Sequence, residues 1–204
     1  MITIIDYGVG NLNSIKNMFK KIGVECVISS SLEQIGKAEK LVLPGVGNFG
    51  HGMLQLEKSG LIPLLNERVL KEKTPILGIC LGAQLLLSSS EEAPGVKGLS
   101  WINGNVKQFD ITKLEKRKIP HMGWVDIRVN KQSKLLDINN HDQRFYFVHK
   151  YHFDNINTSC VLATANYGYD FVCGLEQENV FGVQFHPEKS HRYGKTLLSN
   201  FAKI

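Results

Sequence analysis

Ile76-Leu77-Gly78-Ile79-Cys80-Leu81-Gly82-Ala83-Gln84-Leu85-Leu86 is the stretch on which the reading of this chain turns. Ile76–Ile79 is a continuous apolar run of strand length, and after Gly82 a helical segment resumes over residues 83–88. A strand that turns into a helix through Gly-x-Cys-x-Gly is the nucleophile-elbow arrangement with cysteine in place of serine. The pattern needs a glycine two residues to either side, because the tight turn brings neighbouring backbone too close for a side chain. The turn holds the thiol above the sheet at the start of the next helix. There a thiolate is favoured, and a free N–H such as that of Leu81 can receive an oxyanion. With four cysteines and 19 glycines in 204 residues, chance supplies only about 0.03 such patterns per chain. The other cysteines, Cys26, Cys160 and Cys173, read as core or surface residues.

On the N-terminal side, Ile2–Ile5 is a short apolar strand that runs into the turn-rich Asp6-Tyr7-Gly8-Val9-Gly10-Asn11. Ile15, Met18, Phe19 and Ile22 then recur at i, i+3, i+4, i+7, one face of a helix that stops at Gly23. Residues 24–29 predict a second strand, and residues 41–43 a third that ends in Pro44-Gly45-Val46-Gly47; residues 61–70 are helical in period. Strand and helix alternating in this order imply right-handed crossovers and a parallel sheet with helices on both faces. After residue 100 the texture changes. Strands are predicted over 106–109, 124–129, 144–153 and 161–165, and 171–177 with 180–185 flank Glu178-Asn179 as a hairpin or meander. A terminal helix over 193–202 carries Leu197, Leu198 and Phe201 as its inner face. No repeat or long linker marks a second domain. The expectation is one α/β domain over residues 1–204, an open, mixed, mostly parallel sheet flanked by helices, flavodoxin-like, with a more antiparallel second half.

Hydrophobic residues make up 43% of the chain and charged residues 21%, ordinary globular usage. A chain this long buries roughly two-thirds of its unfolded surface, so it needs no disulfide or metal staple. The longest apolar runs fall far short of the ~20 residues that span a bilayer. The start at Ile2-Thr3-Ile4-Ile5 has no basic region ahead of it, so a cytoplasmic protein is expected. The four cysteines form no CxxC pair, which argues against a zinc site and a disulfide framework; no metal and no cofactor are expected. The net charge of +5 is carried by lysines spread along the chain, and the densest run, 113–118, is interrupted by Glu115. That run reads as a solvated loop face, with neither nucleic acid nor membrane as a partner.

A nucleophilic thiol needs a base that is close in the fold and distant in sequence. His186 ends the apolar strand segment Val180-Phe181-Gly182-Val183-Gln184-Phe185 and is followed by Pro187-Glu188. Pro187 holds the backbone extended, so Glu188 can fold back on the imidazole, fix its tautomer and stabilise the imidazolium. Cys80, His186 and Glu188 are therefore the candidate catalytic residues. The turn Pro44-Gly45-Val46-Gly47 closes another strand of the same sheet. Ligand crevices in open parallel sheets lie outside the strands' carboxyl ends, which sets the backbone of Val46 and Gly47 opposite the N–H of Leu81 as an oxyanion pair. Residues 6–11 end the first strand on the same side and could line the same rim.

The elbow segment together with His186-Pro187-Glu188 resembles the class I (triad) glutamine amidotransferases. Further segments are similar to one subfamily, the glutaminase subunits of imidazole glycerol phosphate synthase. They are Asp6-Tyr7-Gly8-Val9-Gly10-Asn11-Leu12, Leu43-Pro44-Gly45-Val46-Gly47, Pro120-His121-Met122-Gly123-Trp124, Tyr146-Phe147-Val148-His149 and Gln184-Phe185-His186-Pro187-Glu188-Lys189-Ser190. The resemblance implies that Cys80 attacks the side-chain carboxamide of L-glutamine with His186 as acid and base. It also implies that Gln84, Glu92 and the backbone of His149, Lys150 and Tyr151 hold the amino-acid end. By residue type alone, Gln84 is an ordinary helix residue and Glu92 a loop charge. The implied partner is a (β/α)8-barrel cyclase. It would form a heterodimer and use the released ammonia to make imidazole glycerol phosphate and aminoimidazole carboxamide ribotide in histidine synthesis. Asn11, Met122, Trp124, Tyr146 and Lys189 fall at its partner-facing positions.

Three positions depart from the family pattern: Ala83 where methionine is common, Val125 where asparagine is usual, and Lys150 where serine or threonine is typical. The triad is untouched, so the departures bear on the partner. Paralogues of this subunit imply an alternative, ammonia supplied to a sugar amidotransferase in surface-polysaccharide synthesis. Two other classes compete: a stand-alone cysteine hydrolase of γ-glutamyl bonds, and a non-catalytic redox-sensing thiol on a flavodoxin-like sheet. The last would have no use for His186 followed by Glu188.

Overall fold

The computed structural model describes residues 1–114 and 117–204; of the basic run 113–118, Glu115 and Lys116 lie outside the described residues. The first half alternates as its apolar spacing predicts. Strand β1 (Ile2–Ile5), helix α1 (Leu12–Lys21), β2 (Cys26–Ser29), α2 (Leu32–Gly36), β3 (Lys40–Leu43), α3 (Phe49–Lys58), α4 (Ile62–Asn66), β4 (Ile76–Ile79) and α5 (Leu81–Leu85) follow in order. The helical period expected over 61–70 is met by α4 and a wider turn of helix over Glu67–Lys71. The second half holds the short β5 (Ser89–Ser90), then β6 (Asn105–Gln108), β7 (His121–Val129), β8 (Arg144–His149), β9 (Tyr151–Asp154), β10 (Val161–Tyr167), β11 (Tyr169–Gln177), β12 (Val180–Val183) and the terminal helix α6 (His191–Lys203).

The sheet runs β2-β1-β3-β4-β12-β11-β10-β7-β8. Its β2-β1-β3-β4-β12 half is parallel throughout, and from β12 to β8 every pairing is antiparallel. The β11–β12 hairpin turns at Glu178 and Asn179, and β12 then lies parallel to β4 with Gly182 beside Gly78. The strand expected over 144–153 is two strands. The chain changes partners at Lys150: β8 pairs with β7, whereas β9 pairs with β6 and β11. Lys150 sits at the break, where its carbonyl accepts from the N–H of Phe109 at 3.2 Å.

Side chains alternate across the parallel strands. Ile2, Ile4, Val42, Leu77 and Ile79 join the core on the side of α1 and α6. Ile5, Leu41, Leu43 and Ile76 join the core under α3, α4 and α5. The amphipathic α1 buries Ile15, Met18 and Phe19, and α6 buries Leu197, Leu198 and Phe201. Among the described residues no helix is long and apolar enough to cross a membrane.

Helix α5 sits unusually close to the sheet because its floor has no side chains. A Cβ on Gly78 would lie 2.7 Å from the Cα of Ala83, and one on Gly182 would lie 3.2 Å from the Ala83 Cβ. Ala83 itself is fully buried on that floor. A Cβ on Gly82 would lie 1.9 Å from the carbonyl oxygen of Leu43, and one on Gly45 would lie 2.6 Å from the Gly82 nitrogen. The turns after β3 and β4 therefore touch backbone to backbone.

Gly82→Ala is expected to cost about 3 kcal/mol or more through forced backbone displacement. For a domain of this size that is a fall in Tm of about 6–12 °C. Gly60, with φ of +70° and nothing within 4 Å of where a Cβ would stand, is the control: Gly60→Ala should cost only about 1 kcal/mol. Thermal unfolding of the two variants by calorimetry checks the difference.

Candidate active site

Cys80 occupies the elbow with φ 54° and ψ −112°, a backbone conformation that costs a non-glycine residue about 1–3 kcal/mol. Three hydrogen bonds hold it there. Its N–H donates to the Val183 carbonyl at 2.8 Å, and its carbonyl accepts from the N–H groups of Ala83 and Gln84, both at 3.1 Å. The thiol is buried at the top of the sheet, 7% of the residue being exposed.

His186 follows β12 by three residues, and its backbone is clamped by β8. The His186 N–H donates to the Tyr146 carbonyl at 2.9 Å, the Tyr146 N–H donates to Ser190 Oγ at 3.0 Å, and Ser190 Oγ donates to the His186 carbonyl at 2.6 Å. Pro187 starts one turn of 3-10 helix over Pro187–Lys189, which brings Glu188 back onto the ring. His186 Nδ1 and Glu188 Oε1 are 2.8 Å apart with both side chains buried. A carboxylate only accepts, so Nδ1 carries the proton and Nε2 faces the cavity shared with Cys80. Burial pushes the imidazole down, but the sulfur of Cys80 and the hydrogen bond to Glu188 outweigh it and hold the group at about 10. Nε2 itself has no hydrogen-bond partner of regular geometry among the described residues.

A cavity of about 450 Å³ opens over these residues. Of the residues singled out from the sequence, Cys80, His186, Val46, Gly47, Leu81, Gln84, Glu92, His149, Lys150, Tyr151 and Lys189 all line it. Glu188 stands behind His186. Glu92 is anchored from below, where one carboxylate oxygen accepts from the Phe49 N–H at the start of α3 at 2.7 Å. Gln84 spends its amide hydrogens on Gln184 Oε1 (2.9 Å) and the Tyr151 carbonyl (3.4 Å), which leaves its oxygen free to accept. The imidazole of His149 is committed, since Nδ1 bonds the Tyr151 carbonyl at 2.6 Å and Nε2 bonds His121 Nδ1 at 2.9 Å. What this segment offers the cavity is its backbone and the exposed Lys150.

Around the mouth, apolar groups face outward. Met122 is 60% exposed, Val46 43% and Trp124 41%. Trp124 stacks on His191 and meets Tyr146 edge-on, and Lys189 Nζ lies 5.8 Å from the centre of the Tyr146 ring. Asn11 precedes α1, is exposed, and makes no side-chain capping bond. Val125 points to the opposite side of β7 from Trp124 and packs partly against the core.

Three polar residues that support the site fall inside the segments that carry the family resemblance, without a role implied for them there. Tyr7 is buried and donates its hydroxyl to the Pro44 carbonyl at 2.7 Å, pinning the start of the Val46–Gly47 turn. Its phenol is raised well above the ordinary range by burial and by the neighbouring Cys80. Gln184 is wholly buried with Nε2 3.7 Å from Cys80 Sγ. His121 is wholly buried, packed between the rings of Phe147 and Tyr167. Apart from those segments, the signal they share is a polar side chain at or just past the end of a strand.

A thiol on a strained elbow, an imidazole oriented by a buried carboxylate, and backbone turns closing one cavity make up the constellation of a cysteine-dependent amide hydrolase. A family model of class-I glutamine amidotransferases matches residues 3–204, and the chain belongs to that family. It is 49% identical over 203 residues to the imidazole glycerol phosphate synthase subunit HisH 2 of Methanococcus maripaludis, covering 100% of this chain and 99% of the relative. It is 44% identical over 205 residues to the HisH subunit of Bdellovibrio bacteriovorus, with both chains covered in full. A crystal structure of a glutamine amidotransferase superposes with TM-score 0.78 over the full length of both chains. A chain of the PurLQS structure from Thermotoga maritima superposes with TM-score 0.70, covering 99% of this chain and 97% of that one. At 18% and 19% identity these last two speak for the fold.

The histidines under the cavity set a pH dependence. Burial, aided by the positive charge of Arg117, lowers His121 to about 4, and burial also lowers His149 and His152. These rings are neutral in the folded chain and protonated when it unfolds, so stability is lost as pH falls from about 6.5 towards 4. His186 works in the opposite sense: its contribution is complete below pH 6.5 and is lost as pH rises towards 10. Urea unfolding is expected to show a maximum between the two windows. His121 alone accounts for a loss of about 2 kcal/mol between pH 7 and pH 5, and a flat profile over that interval would contradict the assignment.

Proposed function

We propose that this chain is the glutaminase subunit of imidazole glycerol phosphate synthase. It hydrolyses glutamine to glutamate and ammonia and delivers the ammonia to a cyclase subunit in histidine biosynthesis. The observation that carries the reading is the 2.8 Å contact between His186 Nδ1 and Glu188 Oε1, opening onto the same cavity as Cys80. Full-length relatives that bear that subunit's name support it. They favour neither the polysaccharide paralogue nor the redox sensor.

Cys80 supplies the nucleophile. Its thiol gives its proton to His186 Nε2, and sulfur attacks the carboxamide carbon of glutamine. The oxygen of the tetrahedral intermediate is received by the Leu81 N–H and by the backbone of Val46 and Gly47. His186 Nε2–H protonates the leaving nitrogen, and ammonia departs. The neutral ring then takes a proton from water as it hydrolyses the glutamyl thioester, which restores the thiol. Glu188 keeps Nε2 aimed at the reacting atoms through both halves. The free oxygens of Gln84 and Glu92 accept from the substrate's α-ammonium group, and the backbone of 149–151 with Lys150 holds its carboxylate. The domain acts over its full length, residues 1–204, and needs no cofactor.

Ammonia is mostly protonated at neutral pH and is then no nucleophile, so the product has to reach its acceptor without crossing bulk water. The exposed Val46, Met122 and Trp124, with Asn11, Tyr146 and Lys189 beside them, form the surface over which a (β/α)8-barrel cyclase closes.

Glutamate release should be slow for the chain alone and strongly stimulated by the cyclase of the same organism loaded with its nucleotide. Absence of stimulation with an intact triad would remove the histidine assignment. In the complex, Cys80→Ala is expected to abolish synthesis from glutamine while leaving synthesis from added ammonia unchanged; loss of both would refute channelled ammonia. Glu188→Gln should lower kcat about a hundredfold or more with little change in KM, read from steady-state glutamate release.

A further inference from the structure

Gln184 is a wholly buried polar residue that the mechanism above does not use. It lies just past β12, whose last residue, Val183, is paired with Ile79, the residue before Cys80. Its backbone N–H donates to the Cys173 carbonyl at 2.9 Å, so its side chain is delivered from a fixed point in the sheet.

The orientation of that side chain is dictated by a chain of hydrogen bonds that begins at a backbone carbonyl. The Tyr151 carbonyl can only accept, so the group of Gln84 that faces it at 3.4 Å is the amide nitrogen. The same nitrogen donates to Gln184 at 2.9 Å, so the atom of Gln184 that meets it is the oxygen. The nitrogen of Gln184 is thereby turned to Cys80, with Nε2 3.7 Å from Sγ, within reach of an N–H···S hydrogen bond. Reversing the Gln184 amide would set nitrogen against nitrogen at one end and oxygen against sulfur at the other. The titratable groups that face Cys80 are His186 and Tyr7. Tyr7 spends its hydroxyl hydrogen on the Pro44 carbonyl, so it does not donate to the sulfur.

We propose that Gln184 is a positioning residue for the reaction at Cys80. Its amide N–H stabilises the thiolate from a direction other than that of His186. Through Gln84 it also ties the sulfur to the Tyr151 backbone at the substrate end of the cavity. A bare thiolate in a buried site is costly, and an imidazolium alone would draw the sulfur towards the ring. A second, neutral donor holds it over the cavity without adding a proton that could be transferred. The inference rests on Cys80 being the nucleophile, as proposed above.

The test follows the ionisation of Cys80 in the full chain by thiolate absorbance near 240 nm and by the pH dependence of iodoacetamide alkylation, with Cys80→Ala as the baseline for the other cysteines. Gln184→Met keeps the volume and removes the donor; Gln184→Asn keeps the amide and withdraws it by one carbon. In both, the ionisation midpoint should rise by about one pH unit, with about tenfold less thiolate below it. The kcat for glutamate release should fall by about the same factor with KM within about twofold. A folded variant with the wild-type midpoint and alkylation profile overturns the proposal, and if the methionine variant does not fold the asparagine variant decides it by the same readings. If wild-type Cys80 alkylates no faster than the Cys80→Ala baseline, the nucleophile reading falls and this inference with it. A reactive wild-type Cys80 with unchanged variants removes Gln184 alone.

Discussion

The site depends on one steric constraint, the direct contact between the backbone turns that end β3 and β4. Gly82 lies against the Leu43 carbonyl and Gly45 against the Gly82 nitrogen, at separations that admit no Cβ. This contact places the Val46–Gly47 turn opposite the Leu81 N–H. It also brings α5 down onto Gly78 and Gly182, which are neighbours in register on β4 and β12. A side chain at Gly45, Gly78 or Gly82 would force this backbone apart and spread the turns. The strain of Cys80, at φ 54°, is sustained by the same contacts. Its own N–H and carbonyl are bonded into β12 and α5, so the chain cannot relax the elbow without breaking the sheet–helix junction.

The order of strands carries the remaining catalytic geometry. Because β12 returns from an antiparallel hairpin to lie parallel to β4, the residues after β12 emerge beside the elbow. His186 therefore reaches Cys80 although 106 positions separate them along the chain. Strand β8 then closes over His186 through the Tyr146 backbone and Ser190. The half of the sheet that looks accessory to the parallel half thus fixes the position of the imidazole.

Local signals account for what is legible in the sequence. The elbow glycines, the apolar β4, the i, i+3, i+4, i+7 face of α1 and the His-Pro-Glu turn are each short contiguous or periodic patterns, and pattern reveals them even where, as at Gly82, the contact that demands the residue is remote. Helix α3 is hidden because Gly50 and Gly52 break its propensity, yet Asn48 caps it with a bond from His51, and Phe49, Met53 and Leu56 are its buried face. The break between β8 and β9 is invisible because both strands are apolar at inward positions. Only the pairing partners, β7 for one and β6 with β11 for the other, show that the chain changes register at Lys150. Tyr7, Gln184 and His121 act through partners remote in sequence, so no spacing rule can single them out.

The polarity of this region runs opposite to that of an ordinary domain. Beneath the cavity, buried polar groups form a connected series: His121 to His149, His149 to the Tyr151 carbonyl, Gln84 to that same carbonyl and to Gln184, and Gln184 to Cys80. Above it, Val46, Met122 and Trp124 stand exposed. Buried polar groups are tolerated when their hydrogen bonds are met, and here the series meets them, His121 Nε2 excepted, while fixing the direction of each donor. Large apolar side chains exposed in this way are tolerated when something covers them. A polar, preorganised floor and an apolar lip suit a reaction in which glutamine enters from water but its product must leave away from water. The floor fixes the direction of each donor around Cys80, and the exposed apolar side chains are the surface that the proposed partner would cover.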